Sequence, residues 1–397
     1  MKTVSFLSDT TGRNQEDIRI IVTGDFYPGG VIEECCEHKE YEKIFNDVLP
    51  VLKDKDISIT NLECPLIENV RPISKTGMNL YAGPGVIEAL RYGMFDAVTL
   101  ANNHIFDQGA DGIRSTLDIF RQNNIKTVGI GENLKAACTP LYLEVKGKRI
   151  AVLNVAEQEF SIAAENRPGA APLDTVLNYY QIREIKKHSD IQLVVIHGGY
   201  QYHPLPSPDM MKTYRFFADL GVTAIIGHHA HCASGYEYYH GVPIFYNLGN
   251  FIFDLGKRKS PLWYQGYFIK LIIAGDKVKQ AQLYPYFQNK GFTGVRLMSQ
   301  EEEKEYWRNI DSYCETISDP QKIEQEWKKV CQNVRKGYLL SLMNAPWIFR
   351  KLNRRKLLPE IFVRRNKKFW LPYLNTLRCP SHREAAITIL REETGAQ

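Results

Sequence analysis

The sequence predicts a layered α/β fold with mixed sheets, and three observations carry that expectation. Short apolar runs rich in β-branched residues recur at strand length, helix-forming stretches alternate with several of them, and other runs face each other across tight turns. In chain order, IRIIVTGD (18–25) reads as a buried strand that delivers a carboxylate at its C-terminal end. DISITNLE (56–63), FDAVTLANN (95–103), KTVGIG (126–131), RIAVLNV (149–155), IQLVVIHGG (191–199) and VTAIIGHHAH (222–231) have the same character. Helices are expected over 86–92 after Pro84, over 111–122, and over 209–220 after Ser207-Pro208. LYLEV and RIAVLNV flank KGK, and GYFIKLIIA and KVKQAQLYPY flank Gly275-Asp276, so both pairs read as antiparallel.

From about residue 300 the composition turns to charged helix formers such as EEEKEYWRNI, which places the main boundary between 288 and 302. The expected organisation is an N-terminal lead over 1–17, a main domain over 18–290, and a charged helical extension with a basic tail over 291–397. Residues 334–370 hold 11 Lys/Arg against a single Glu, whereas the remainder carries 39 Lys/Arg against 44 Asp/Glu. That asymmetry points to an anionic partner for the tail. Arg354, Arg355, Lys356, Arg364, Arg365, Lys367 and Lys368 alternate with Phe362, Phe369 and Trp370, which suits an anionic membrane surface, an anionic polymer or a protein partner. No nucleic-acid-binding motif accompanies the charge, so nucleic acid is not expected.

The eight cysteines show no CxxC spacing and read as reduced thiols. Cys232, next to a histidine cluster, is either a soft ligand or an ordinary buried thiol. No run approaches the roughly 18 apolar residues of a membrane span. The first residues lack a secretory signal, so the expected location is the cytoplasm, peripheral at the inner membrane surface if the tail engages it.

In an open α/β sheet ligands gather at the carboxyl ends of strands, so the polar residues that close each apolar run form the candidate site. They are Asp25, Glu63, Asn102, Asn103, His104, Asp107, His197, His228, His229 and His231. Imidazoles, carboxylates and an amide oxygen form a borderline-hard donor set suited to Mn, Fe or Zn. Taken singly, each has an ordinary reading: Gly-Asp is a turn signal, Glu63 a surface or capping acid, His197 a hydrogen-bonded core group. Their conjunction is harder to dismiss. His229 and His231, at i and i+2, are expected on one side of an extended segment, and Gly227 lets backbone approach closely.

The ordered series Gly-Asp, Asn-Leu-Glu, Asn-Asn-His-x-x-Asp-x-Gly, His-Gly-Gly, Gly-His-His-x-His and YNLGNFIFD (246–254) resembles the CapA family of capsule and poly-γ-glutamate synthesis proteins. That family resembles the calcineurin-like metallophosphoesterases, so the resemblance implies an α/β/β/α sandwich with a two-metal centre over about residues 18–290. By motif it assigns Asp25 and His231 to a first metal, Glu63 to a bridging position, and Asn103, His197 and His229 to a second. Sequence does not decide between His228 and His229, and the spacing to His231 favours His229. His104 resembles the histidine that protonates the leaving group, oriented by Asp107. Two departures stand out: Asp25-Phe26-Tyr27 replaces the Asp-x-His of calcineurin-type enzymes, leaving the first metal weak or absent, and Gln201 follows His-Gly-Gly where a glutamate is usual. Asn102, His228, Arg71, Lys75, Arg167 and His203 are candidate substrate or anion contacts, against the bland reading of solvated loop charges.

The function expected is therefore a phosphoesterase-like metallohydrolase in the synthesis or export of an anionic envelope polymer. The alternative is a non-catalytic accessory component that keeps its metal ligands for structure.

Overall fold

Alternation along a single strand decides the layer order. In Ile191–His197, Leu193 and Val195 pack into one core while Val194 and Ile196 pack into another, so this strand is covered on both faces. The computed structural model describes residues 1–7, 16–258 and 260–394. Within them two mixed sheets lie face to face. One runs in the order Lys2–Ser5, Lys277–Gln288, Gln265–Ala274, Ile18–Tyr27, Ile57–Leu62, Ala97–Thr99 and Lys126–Val128, with Asn250–Phe253 paired parallel to Ile18–Tyr27. The other runs Tyr236–Tyr239, Val242–Phe245, Ala224–His228, Ile191–His197, Lys148–Ala156 and Leu141–Val145. The first is antiparallel from Lys2–Ser5 to Ile18–Tyr27 and parallel from there to Lys126–Val128, and the second has parallel central pairs flanked by antiparallel ones.

Between the sheets, Ile20, Val22 and Ile59 meet Ile150, Val152 and Ile226. Helices Val86–Tyr92 and Gly109–Gln122 cover the outer face of the first sheet through Leu90, Ile113 and Phe120. Helices Thr175–Lys187 and Pro208–Asp219 cover the second through Ile182, Ile185, Tyr214 and Phe217. The result is the expected α/β/β/α order, and each such side chain contributes on the order of 1.5–3 kcal/mol through burial. Ser207 caps the Pro208–Asp219 helix by accepting from the Met210 N–H, as its sequence signal implied.

The chain divides into two compact units, Met1–Ile323 and Glu324–Gln397. Two features extend the first unit beyond 18–290. Lys2–Ser5 is a strand paired with Lys277–Gln288, so part of the lead belongs to the sheet. Helix Gln300–Ile317 opens with a Ser299/Glu302 capping box and buries Tyr306, Ile310 and Ile317 in the body. Its charges face solvent while its apolar stripe completes the core, which is why a change of composition at 300 is not a structural boundary. The second unit is helical around a small core of Leu340, Ala345, Leu358 and Val363, and Arg335 and Lys336 both pair with Glu360. Among the described residues no helix is long and apolar enough to cross a membrane.

Candidate metal centre

Parallel strands deliver their closing residues to one edge. Asp25 lies two residues before the end of Ile18–Tyr27, beside Asn61 and Asn250 in register, and His197 pairs with His228 across the other sheet. Two glycines make the approach close enough. A Cβ on Gly24 would lie 1.9 Å from the Gly249 carbonyl oxygen, and one on Gly227 would lie 2.0 Å from that of Tyr246.

Asp25 is fully buried. It accepts from the Asn61 side chain at 2.8 Å and from the His229 backbone N–H at 3.0 Å. Burial pushes its carboxyl up, but the imidazoles of His228, His197 and His231 overcome this and hold it well below the ordinary carboxylate range. Glu63 stands opposite. Its Oε1 lies 3.5 Å from His197 Nε2 and 3.8 Å from His231 Nε2, and both carboxylate oxygens are buried without a hydrogen-bond partner. Burial first, then the charges of Asp25, Glu159 and Asp107, push Glu63 well above its usual range. Burial also keeps the imidazoles neutral, with His229 pushed down to about 3, His231 to about 4, and His197 well below its ordinary value.

Glu63, His197 and His229 bring donor atoms within 4.8 Å of one another, and so do Asp25, Glu63 and His231. Asn103 Oδ1, 3.0 Å from His197 Nε2, adds an oxygen to the first group. These residues fit a pair of divalent cations. Two buried carboxylates face neutral imidazole nitrogens, and the unpartnered Glu63 oxygens lack the positive charge that such an ion supplies.

The histidines reach this arrangement by a route the spacing did not foresee. The strand ends at His228, and His229 and His231 take φ of 93° and 54°, so the pair is not extended. Left-handed backbone at non-glycine residues costs on the order of 1–3 kcal/mol each. Here the His229 N–H bond to Asp25 holds the turn, and the two rings converge with centroids 6.0 Å apart. His228 goes to Asp25 instead, its Nδ1 3.0 Å from Oδ1.

His104 Nδ1 lies 2.6 Å from Asp107 Oδ2, and Asp107 also accepts from the Leu80 N–H at 2.6 Å and pairs with Lys75. Lys75, expected as a loop charge, is buried in this triad. Asn102, expected at substrate, is consumed by the loop: its amide donates to the Leu62 and Leu100 carbonyls and its oxygen accepts from the His104 N–H. Arg71 is exposed and pairs with Asp111 at 3.4 Å. Arg167 packs over Phe106 and donates to the Ile162 carbonyl, and His203 borders a small hollow beyond the His-Gly-Gly turn. None of these three joins the ligand groups. Cys232 is a buried thiol outside them, pushed up to about 12 by burial.

Supporting residues escaped the sequence reading. Asn250 Oδ1 accepts from His231 Nδ1 at 2.9 Å, which fixes the ring with Nε2 turned toward Glu63. Asn61 steadies Asp25, and Ser161 holds the Asn103 carbonyl at 2.6 Å. Asn61 and Asn250 lie inside the TNLE and YNLGNFIFD blocks, so the blocks were visible although the roles were not.

Residues 19–255 match the model of the family described as bacterial capsule synthesis protein PGA_cap. The chain is 34% identical over 243 residues to the PGA biosynthesis protein CapA of Bacillus subtilis, covering 60% of this chain and 63% of that protein. It is 32% identical over 257 residues to the capsule biosynthesis protein CapA of Bacillus anthracis, covering 62% of each. Both matches span less than two thirds of the relative's length. Among solved structures, the calcineurin-like phosphoesterase YfkN of Bacillus subtilis is similar at 12% identity and a TM-score of 0.37, over 77% of this chain and 100% of that one. With the family model matching more than half its length, this chain belongs to the PGA_cap family of bacterial capsule synthesis proteins.

Proposed function

We propose that the protein is a metal-dependent hydrolase that cleaves a phosphoester or related bond during synthesis or export of an anionic capsular polymer. Glu63 carries the reading, because its unpartnered buried oxygens lie between the imidazole nitrogens of His197 and His231. Asp25, Glu63 and His231 would hold one cation, and Glu63, Asn103, His197 and His229 the other. When bound, such a pair polarises the scissile group and stabilises charge on its oxygens. Tyr27 packs against Phe253 where calcineurin-type enzymes carry histidine, so the first group has three side chains and is the weaker. With Nδ1 on Asp107, His104 keeps Nε2 to offer a proton to the leaving oxygen. The names of the two CapA relatives support the polymer assignment.

The test is turnover of p-nitrophenyl phosphate, bis-p-nitrophenyl phosphate and polymer fragments by protein loaded with Mn, Fe or Zn. Hydrolysis that chelation abolishes and metal restores is expected. Stoichiometric metal with no turnover on any of them would transfer the protein to the accessory, non-catalytic role.

The second unit supports an anionic membrane surface as partner. Trp347, Leu357, Ile361, Leu371, Leu374 and Leu377 are exposed large apolar side chains in the unit that carries the excess of Lys and Arg. Each cation near such a surface contributes about 1 kcal/mol. Deleting residues 334–397 should abolish co-sedimentation with phosphatidylglycerol vesicles, and added salt should weaken that of the full chain. Equal sedimentation of both proteins would reduce the tail to a packing element.

A further inference from the structure

Lys75 is buried in a stretch of loop whose other residues mostly face solvent. It lies between the strand Ile57–Leu62 and the helix Val86–Tyr92, and Ser74, Thr76 and Met78 around it are exposed, yet its own side chain is only 2% exposed. Its ammonium pairs with Oδ1 of the fully buried Asp107 and lies 3.3 Å from His104 Nδ1. The same aspartate ties the loop down. Its backbone carbonyl accepts from the Ile73 N–H at 3.0 Å, and its Oδ2 accepts from the Leu80 N–H at 2.6 Å. The Arg71 N–H adds a bond to the neighbouring Gln108 side chain at 2.7 Å. With the loop already held by these backbone donors, Lys75 is not needed to close it. Taking an ammonium and a carboxylate out of water is costly even when they pair, so the pair is a weak device for stability.

What the pair does fix is the direction of one hydrogen bond. An ammonium only donates, and an ionised carboxylate only accepts. Among the described residues, Asp107 Oδ1 faces Lys75, while Oδ2 takes the Leu80 N–H and stands 2.6 Å from His104 Nδ1. Two acceptors do not close to that distance, so Nδ1 carries the hydrogen and donates it to Oδ2. Lys75 and Nδ1 then both carry hydrogen, and their 3.3 Å approach is not a bond. Nε2 is left as the free nitrogen, on a ring whose charge reaches His229 and His231. Without the ammonium nothing enforces this order, because a carboxyl group that carried its own hydrogen would donate to Nδ1 and reverse the bond. Lys75 is not itself free to hold a ligand, since its side chain is covered and its charge opposes that of Asp107 at Glu63. We propose that Lys75 is a positioning residue: it keeps Asp107 an acceptor, holds the Nδ1 hydrogen of His104 on Asp107, and so leaves Nε2 for the reacting group. Its consequence for turnover rests on the hydrolase reading; the place of the hydrogen does not.

The test is long-range proton–nitrogen correlation NMR of the full chain, isotopically labelled in histidine and prepared with zinc, which is diamagnetic. The His104 signals are identified by their loss in His104→Ala. At a pH where the ring is neutral, wild type should carry the hydrogen on Nδ1, and Lys75→Met should carry it wholly or partly on Nε2. A merely structural lysine would lower the melting temperature without moving that hydrogen. Hydrogen on Nε2 in wild type, or unchanged on Nδ1 in Lys75→Met, would each overturn the proposal. The wild-type spectrum keeps it falsifiable even if the variant does not fold. On p-nitrophenyl phosphate, Lys75→Met should lower kcat roughly 10- to 100-fold, the scale of a misplaced catalytic group, with KM and metal content little changed. A raised KM at unchanged kcat would make Lys75 a substrate contact and overturn the positioning role. If wild type turns over no substrate, the hydrolase reading fails, and the spectra still decide what Lys75 does.

Discussion

Replacing His229 and His231 together by alanine is expected to strip the protein of metal while leaving its fold. Each histidine belongs to a different donor group, and the groups share only Glu63, so the double change disables both. The loss of affinity should exceed the roughly 10- to 100-fold that follows loss of an outer partner of a ligand. The backbone turn should persist, because the bond from residue 229 to Asp25 is made by a main-chain N–H. Asp25 also keeps Asn61. Removing the His231 ring leaves a gap beside Phe253 and Trp263, so stability should fall by about 1–3 kcal/mol without loss of cooperative unfolding. Metal analysis of the dialysed variant beside its thermal transition decides the matter. Retained stoichiometric metal would sink the assignment of both groups.

His104→Ala is expected to retain metal and to lower turnover by roughly 100- to 10,000-fold, the usual span for a lost general acid. His104 offers no atom to either donor group, and its partner Asp107 keeps Lys75 and the Leu80 N–H when the ring is gone. The loop should therefore hold, since Asn102 ties it to the Leu62 and Leu100 carbonyls independently of the imidazole. A purely structural His104 predicts another pattern, in which melting temperature and turnover fall together. Asp107→Asn separates the cases further: it keeps the side-chain shape but removes the charge beside Nδ1, so it should shift the pH profile of turnover. An unchanged turnover number in His104→Ala would leave the proton-donor role without support.

Much of this was legible because it is local. An apolar run such as Ile191–Ile196 declares a strand covered on both faces, and its length puts His197 at the end where parallel strands deliver ligands. Asp25, Glu63 and Asn103 stand out in the same way, each at or just beyond the close of an apolar run, and their donor types are those that suit a borderline-hard divalent cation. Where one signal stood for two structures, it misled. The i, i+2 spacing of His229 and His231 suits an extended segment, yet convergence is achieved by left-handed backbone that the bond to Asp25, 204 residues away, helps to hold. A charged helix beginning at residue 300 looks like an appendage, but its buried stripe of Tyr306 and Ile310 finds its partners on strands far behind it in sequence.

The sequence by itself determined the layered class, the strand-end donors and the sign of the tail's charge, because periodicity, donor chemistry and charge are properties of neighbouring residues. Tertiary structure alone decided which polar side chains are consumed in support. Asn102 turns into its own loop, His228 turns to Asp25, Lys75 is buried beside Asp107, and Asn250 fixes His231. A side chain's role depends on which unpaired partner lies within about 3 Å of it. That partner is set by strand order and register across scores of residues, information that no short window of sequence contains.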